Sequence, residues 1–186
     1  MSTLTVFADN QPGTVLFHSQ DSAGIAAELG KAGIRFEQWQ ATAPVKVGDS
    51  QDAVLAAYQA DVDRLVAEAG YQTVDVISLD ATNNAEVQAK VPELRAKFLS
   101  EHRHTEDEVR FFVDGQGLFS LHVNNKVYEV LCQKGDLISV PANTPHWFDM
   151  GPKPKFVAIR FFNNTEGWVA HFTGNPIADS FSRLES

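Results

Sequence analysis

His102, Arg103, His104 and then Glu108 form an H-x-H-x-x-x-E arrangement, a spacing that can bring three electron-pair donors to one ion. On an extended segment, residues two apart point to the same face, so both imidazoles can meet one point. Glu108, at even spacing from both, can join them from the start of a following strand. His146, within the run VPANTPHWF at 140–148, is the fourth candidate donor. Imidazole nitrogen with carboxylate oxygen suits iron, nickel or zinc, whereas magnesium and calcium prefer all-oxygen shells. Arg110 follows Glu108 by two residues and shares its face on a strand, where a guanidinium can stabilise an oxyanion. His18, His122 and His171 read as ordinary surface or core histidines.

The elements that must position these groups change character near residue 105. Before it, short strands are expected at 3–7, 15–18, 34–40 and 73–79, interrupted by helices. Residues 21–31 carry an Asp or Ser start signal and end just before Gly33. Residues 51–68 form the clearest helix, with Val54, Leu55, Tyr58, Val62, Leu65 and Val66 at three- and four-residue steps. Residues 85–99 also look helical, but Pro92 lies inside and implies a break, with a new helix starting there. After residue 105 short apolar or alternating runs occupy 109–113, 118–123, 127–132, 137–140, 147–150 and 156–162. Turn signals such as Asp114-Gly115, Asn124-Asn125 and Gly135-Asp136 separate them. This pattern predicts a mainly β (α+β) chain, an antiparallel sandwich or barrel with the helices packed outside. Residues 1–186 are expected to form one domain, helix-rich to about 104, with the barrel motifs at 102–162.

Composition narrows the function classes. Hydrophobic residues make up 44% of the chain and thirteen are Phe, enough to build a core and to exclude a disordered chain. With 24 acidic and 15 basic residues the formal net charge is −9, and such a surface repels phosphate backbones, so nucleic acid is not an expected partner. Cys132 is the single cysteine and is expected to be a buried strand residue. No apolar stretch approaches bilayer length and the N-terminus does not read as a signal peptide, so a cytoplasmic location is expected.

Around the donors, Glu108 is followed after six residues by Gly115, and Gly135 after five by Pro141, with His146 five further on. These positions resemble the two cupin motifs, G-x5-H-x-H-x3-4-E-x6-G and G-x5-P-x-G-x2-H-x3-N. Ala96, Asn143 and Met150 depart from the pattern, none of them a candidate ligand, and Asn143 is understandable because Asn tolerates positive φ. The resemblance implies a jelly-roll barrel. More specifically, FLSEHRHTEDEVRFFVDGQGLFSLHV, DLISVPANTPHWFDMG and FFNNTEGWVAHFTG resemble the bacterial-type acireductone dioxygenases, as do GIRFEQWQ and GYQTVDVISL in the N-terminal half.

That resemblance implies one Fe(II) or Ni(II) per chain on His102, His104, Glu108 and His146, with acireductone and O2 as substrates in methionine salvage. The acireductone is 1,2-dihydroxy-5-(methylthio)pent-1-en-3-one. The iron form is expected to yield 2-keto-4-methylthiobutyrate and formate. The nickel form is expected to yield 3-methylthiopropionate, formate and carbon monoxide. It further implies that Arg110 helps form the substrate dianion. Glu101 and Asp107 match positions linked to metal incorporation and relayed conformational change. Phe98, Phe148 and Trp168 match pocket-wall aromatics. A monomer is implied as well. Two other readings compete: a different metal-dependent cupin isomerase or decarboxylase, and a non-catalytic cupin binding module, which would be expected to lose ligands.

Overall fold

The computed structural model describes residues 1–185. Its N-terminal part runs β1 (Thr3–Ala8), β2 (Gln11–Ser19), α1 (Ser22–Lys31), β3 (Arg35–Gln38), α2 (Gln51–Ala57), α3 (Gln59–Ala69), β4 (Thr73–Asp80) and α4 (Ala85–Leu99). Strands then dominate: β5 (His102–Arg103), β6 (Glu108–Asp114), β7 (Gln116–Val123), β8 (Lys126–Gln133), β9 (Asp136–Val140), β10 (His146–Asp149), β11 (Lys155–Phe162) and β12 (His171–Phe172). Short 3-10 helices cover Thr165–Trp168 and Pro176–Ser180.

The strands form two antiparallel sheets, as expected of a jelly roll. One has the order β12-β5-β10-β7-β8-β1-β2 and the other β3-β9-β6-β11-β4. Side chains from both sheets meet in one core, including Leu4, Phe112, Phe119, Val130, Ile138, Phe148 and Phe156. The alternation of β6 explains its nearly continuous apolar run. Phe112 faces the core between the sheets, while Val109, Phe111 and Val113 face outward onto α2 and α3 through Val54, Tyr58, Val62 and Leu65. A strand buried on both faces loses the polar half of its pattern. On the outer face of the other sheet, Ala178 and Phe181 cover Val127 and Trp147. Cys132 is buried on β8.

Two helical expectations are corrected. The helix expected at 51–68 is split into α2 and α3 at Tyr58, whose φ of −116° and ψ of 19° leave the helical region. The Tyr58 ring meets Phe111 edge-on at 5.1 Å, and the jog lets side chains before and after it reach the same sheet face. The break expected at Pro92 is absent, and α4 runs unbroken from Ala85 to Leu99. Proline removes one amide donor from the ladder. Against that loss, Asn84 caps the start by accepting from the Glu86 and Val87 amides, Val91 is buried, and Arg95 forms a bidentate pair with Asp149. Leu94 and Phe98 pack on the core, so tertiary contact holds the helix through the gap.

Candidate metal centre

The donors come from both sheets. His102 on β5 lies directly opposite His146 on β10, the two strands being antiparallel neighbours. Glu108 opens β6 in the facing sheet, where it pairs with Val140 of β9. His104 sits in the connection between β5 and β6. That connection is pinned from the other motif: the Asn143 amide donates to the His104 carbonyl at 2.8 Å, and the Asp107 carboxylate accepts from the Ala142 amide at 2.9 Å. Asn143 has φ 62°, a left-handed conformation that the glycine of the usual pattern would adopt without cost and that Asn tolerates. One ligand atom from each of His102, His104, Glu108 and His146 falls within 4.8 Å of the others.

The orientation of each imidazole is set from behind. Nδ1 of His102 faces the Ser100 carbonyl at 2.7 Å, that of His146 the Thr144 carbonyl at 2.8 Å, and that of His104 the Val169 carbonyl at 3.1 Å. A carbonyl only accepts, so each Nδ1 carries the proton and donates, and each Nε2 of a neutral ring presents a lone pair. Those of His146 and His104 lie 2.8 Å and 3.2 Å from Oε2 of Glu108. Lone pairs facing a carboxylate oxygen in a buried site repel one another, and a cation between them reverses the sign. His102 is held neutral: burial first, then the neighbouring His146, pushes its pKa down to about 4. Burial alone would raise Glu108, but the charge of the adjacent Arg110 guanidinium holds it well below the usual carboxylate range. Neutral imidazoles and an ionised carboxylate are the forms that bind transition metals, and the donor set fits iron, nickel or zinc.

A cavity of about 420 Å³, counted with its open mouth, adjoins the donors. His104 and Glu108 lie on its wall with Asp107, Phe98, Arg110 and Trp168. Arg110 is buried, its Nη2 is 2.6 Å from Oε1 of Glu108, and its guanidinium lies over Phe148 and Phe119 at 5.0 and 5.6 Å. Its Nε has no partner. Phe148 is not on the cavity wall; it lies beneath Arg110, against Phe119 at 4.7 Å. Glu101 is buried away from the cavity wall, its carboxylate held by His122 and Thr173, each at 2.6 Å.

Arg160 on β11 also lines the cavity, and the sequence reading missed it. It is the register partner of Arg110, is paired to Asp75 through two bonds of 2.9 and 2.7 Å, and lies over the Trp168 ring at 4.1 Å. The turn carrying Trp168 is latched by Glu106, which accepts from the Asn163 and Asn164 side-chain amides at 3.0 Å each.

Two facing antiparallel sheets that hold three imidazoles and a carboxylate at one point define a cupin-type metal-centre protein. The match is far more specific than that class. Residues 3–170 match the model of the ARD/ARD′ family, and the chain belongs to the acireductone dioxygenase family. It is 63% identical over 183 residues to the acireductone dioxygenase of Alcanivorax borkumensis, covering 98% of each chain. Its identity to that of Yersinia enterocolitica is 58% over 185 residues, the full length of both. Among solved structures, the acireductone dioxygenase from Bacillus anthracis with cadmium ion in its active center superposes with a TM-score of 0.78. The identity there is 30%, over 92% of this chain and 98% of that one.

Proposed function

We propose that this protein cleaves acireductone with O2 in methionine salvage, using one iron(II) or nickel(II) per chain held by His102, His104, Glu108 and His146. The observation that carries this reading is the outward anchoring of all three Nδ1 atoms, which aims three lone pairs and one carboxylate at a single point beside a buried arginine. A bound divalent ion supplies Lewis acidity, lowering the pKa of the substrate's enediol oxygens and orienting them for reaction with O2.

The side chains do the rest. Arg110 offers its unpartnered Nε–H to a substrate oxyanion and keeps that proton throughout, favouring the dianion. Phe98 and Trp168 provide an apolar wall for the methylthioethyl tail and limit water at the enediolate. Phe148 supports the pocket from below by fixing the plane of Arg110. Asp107 positions the ligand-bearing connection through Ala142, and Glu101 braces the segment ahead of His102. The family resemblance further supports a cytoplasmic monomer whose partners are small molecules, not nucleic acid or membrane. Among the described residues no helix is long and apolar enough to cross a membrane.

The iron form is proposed to give 2-keto-4-methylthiobutyrate and formate, and the nickel form 3-methylthiopropionate, formate and carbon monoxide. Both outcomes consume one O2 per substrate and balance in every atom. The test is apo-protein from one preparation, split and reloaded with iron(II) or nickel(II), then given acireductone and O2. Carbon monoxide is expected from the nickel portion alone, because it requires excision of the central carbon. Carbon monoxide from neither portion, or equally from both, would refute the two-outcome reading.

A further inference from the structure

His122 looks ordinary in the sequence, yet its place in the fold ties together the segments that carry two of the four ligands. Its Nδ1 lies 2.6 Å from Oε2 of Glu101, the residue immediately before His102. Its backbone amide donates to the carbonyl of Pro145, immediately before His146, at 2.9 Å. His102 and His146 are themselves register partners across β5 and β10. One residue of β7 therefore grips both ligand strands at equivalent points, one step ahead of each imidazole.

The Glu101 carboxylate is 3% exposed, so both of its oxygens must find their hydrogen-bond partners within the protein. Oε1 accepts from the Thr173 hydroxyl at 2.6 Å, and the Thr173 amide donates to the Glu101 carbonyl at 3.1 Å. Oε2 has His122. On its far side, His122 Nε2 meets Oδ2 of Asp9 at 3.1 Å, at the edge of a surface cleft lined by Asp9, Pro12, Asn175 and Ile177. The chain Asp9–His122–Glu101 thus runs from that cleft to the strand segment beside the metal centre.

We propose that His122 is a positioning residue of the metal centre: acting through Glu101 and Pro145, it sets the separation of His102 and His146 and so the affinity for the metal. This rests on the metal-site reading above. The Glu101 end does the positioning, while the Asp9 end only orients the imidazole ring.

Side-chain amides can separate the two ends. In His122→Asn the amide nitrogen takes the place of Nδ1 and keeps the bond to Glu101. In His122→Gln it takes the place of Nε2 and reaches toward Asp9 instead. The assay is calorimetric titration of each apo-protein with Co(II), with its visible absorption bands as a readout of ligand geometry and apo-protein melting as a control for folding. His104→Ala serves as the control for the site itself.

His122→Gln should bind Co(II) about 10- to 100-fold more weakly than wild type, the usual cost of removing a group that orients a metal ligand, with altered bands. His122→Asn should stay near wild type in both. Equal affinity of the Gln variant and wild type would overturn the proposal, as would equal weakening in the Asn and Gln variants. If wild type and His104→Ala bind Co(II) alike, the metal-site reading itself fails, an outcome distinct from failure at His122.

Discussion

Replacing Arg110 by Met separates what the guanidinium does for the substrate from what it does for the metal centre. Methionine fills the space over Phe148 and Phe119 without a charge or a donor. Two of the arginine's contacts exist before substrate arrives: the 2.6 Å pair with Glu108 and the packing on the two rings. Its Nε is buried with no hydrogen-bond partner in the protein, a state that costs about 1–3 kcal/mol. On the proposed reading, a substrate oxyanion would relieve that cost and gain a charge-assisted bond. Loss of one such donor lowers turnover by about 10²–10³-fold, roughly 2.7–4 kcal/mol. Arg110 has no lone pair to give a metal, so metal content should stay near wild type. Arg110→Lys should fall between the two, because one ammonium cannot serve Glu108 and the substrate with the geometry of a guanidinium fork. Oxygen uptake with acireductone, beside elemental analysis of the same samples, reads both quantities. Turnover within a few-fold of wild type would show that Arg110 merely neutralises Glu108. Metal lost in proportion to activity would show that it serves the ligand and not the oxyanion.

Two further changes probe the surroundings. A Cβ on Gly167 would come within 2.7 Å of Cβ and Cγ of Glu106, so Gly167→Ala should shift the turn bearing Trp168 and raise KM several-fold without loss of metal; an unchanged KM would show that Trp168 does not contact the substrate. Asp149 is 1% exposed and accepts from Arg95 Nε, Arg95 Nη2 and the amides of Gly151 and Leu184, at 2.7 to 2.9 Å. Asp149→Ala strands those donors, which should cost about 3–5 kcal/mol. On a chain of this size that lowers Tm by roughly 6–20 °C. Burial alone would raise the Asp149 carboxyl, but Arg95 and the two amides override it and hold it below the ordinary 3.8. A depressed carboxyl stabilises the fold above its unfolded value and loses that contribution as pH falls through its folded value. Wild-type Tm should therefore drop more steeply than that of Asp149→Ala below pH 3.8, and parallel acid limbs would count against this role.

How much of the fold was legible depended on whether a pattern was local. The strands after residue 105 announced themselves because Asn124-Asn125 and Gly135 supply the positive φ their turns require, and the expected runs fall within β6 to β11 apart from Met150, one residue beyond β10. The errors at Tyr58 and Pro92 have the opposite origin. Both positions were read from helix-local rules, and in both the sheet surface beneath the helix decided the outcome. A helical period that satisfies 51–68 as one element does not reveal that Phe111 stands under its middle. A proline rule does not reveal that Asp149 anchors Arg95 one turn further on.

The same distinction runs through the site. His102, His104 and Glu108 could be read because their spacing alone puts them on one face, and the motif around Gly135 and Pro141 then called for His146. Arg160 and His122 carry no such spacing, since each acquires its meaning from a strand register. Arg160 enters the cavity because β11 pairs with β6 so that it lies opposite Arg110, and a slip of one residue would turn it toward the helices instead. His122 meets Glu101 because β7 pairs with β10, and β10 in turn with β5, bringing residues 21 apart in sequence to 2.6 Å. Residues that bind the ion are constrained by chemistry and so repeat as a motif. Residues that hold those ligands are constrained by position, and any donor of suitable reach serves. That is why the second set becomes visible only once the register is known, and why His122→Asn should succeed where His122→Gln fails.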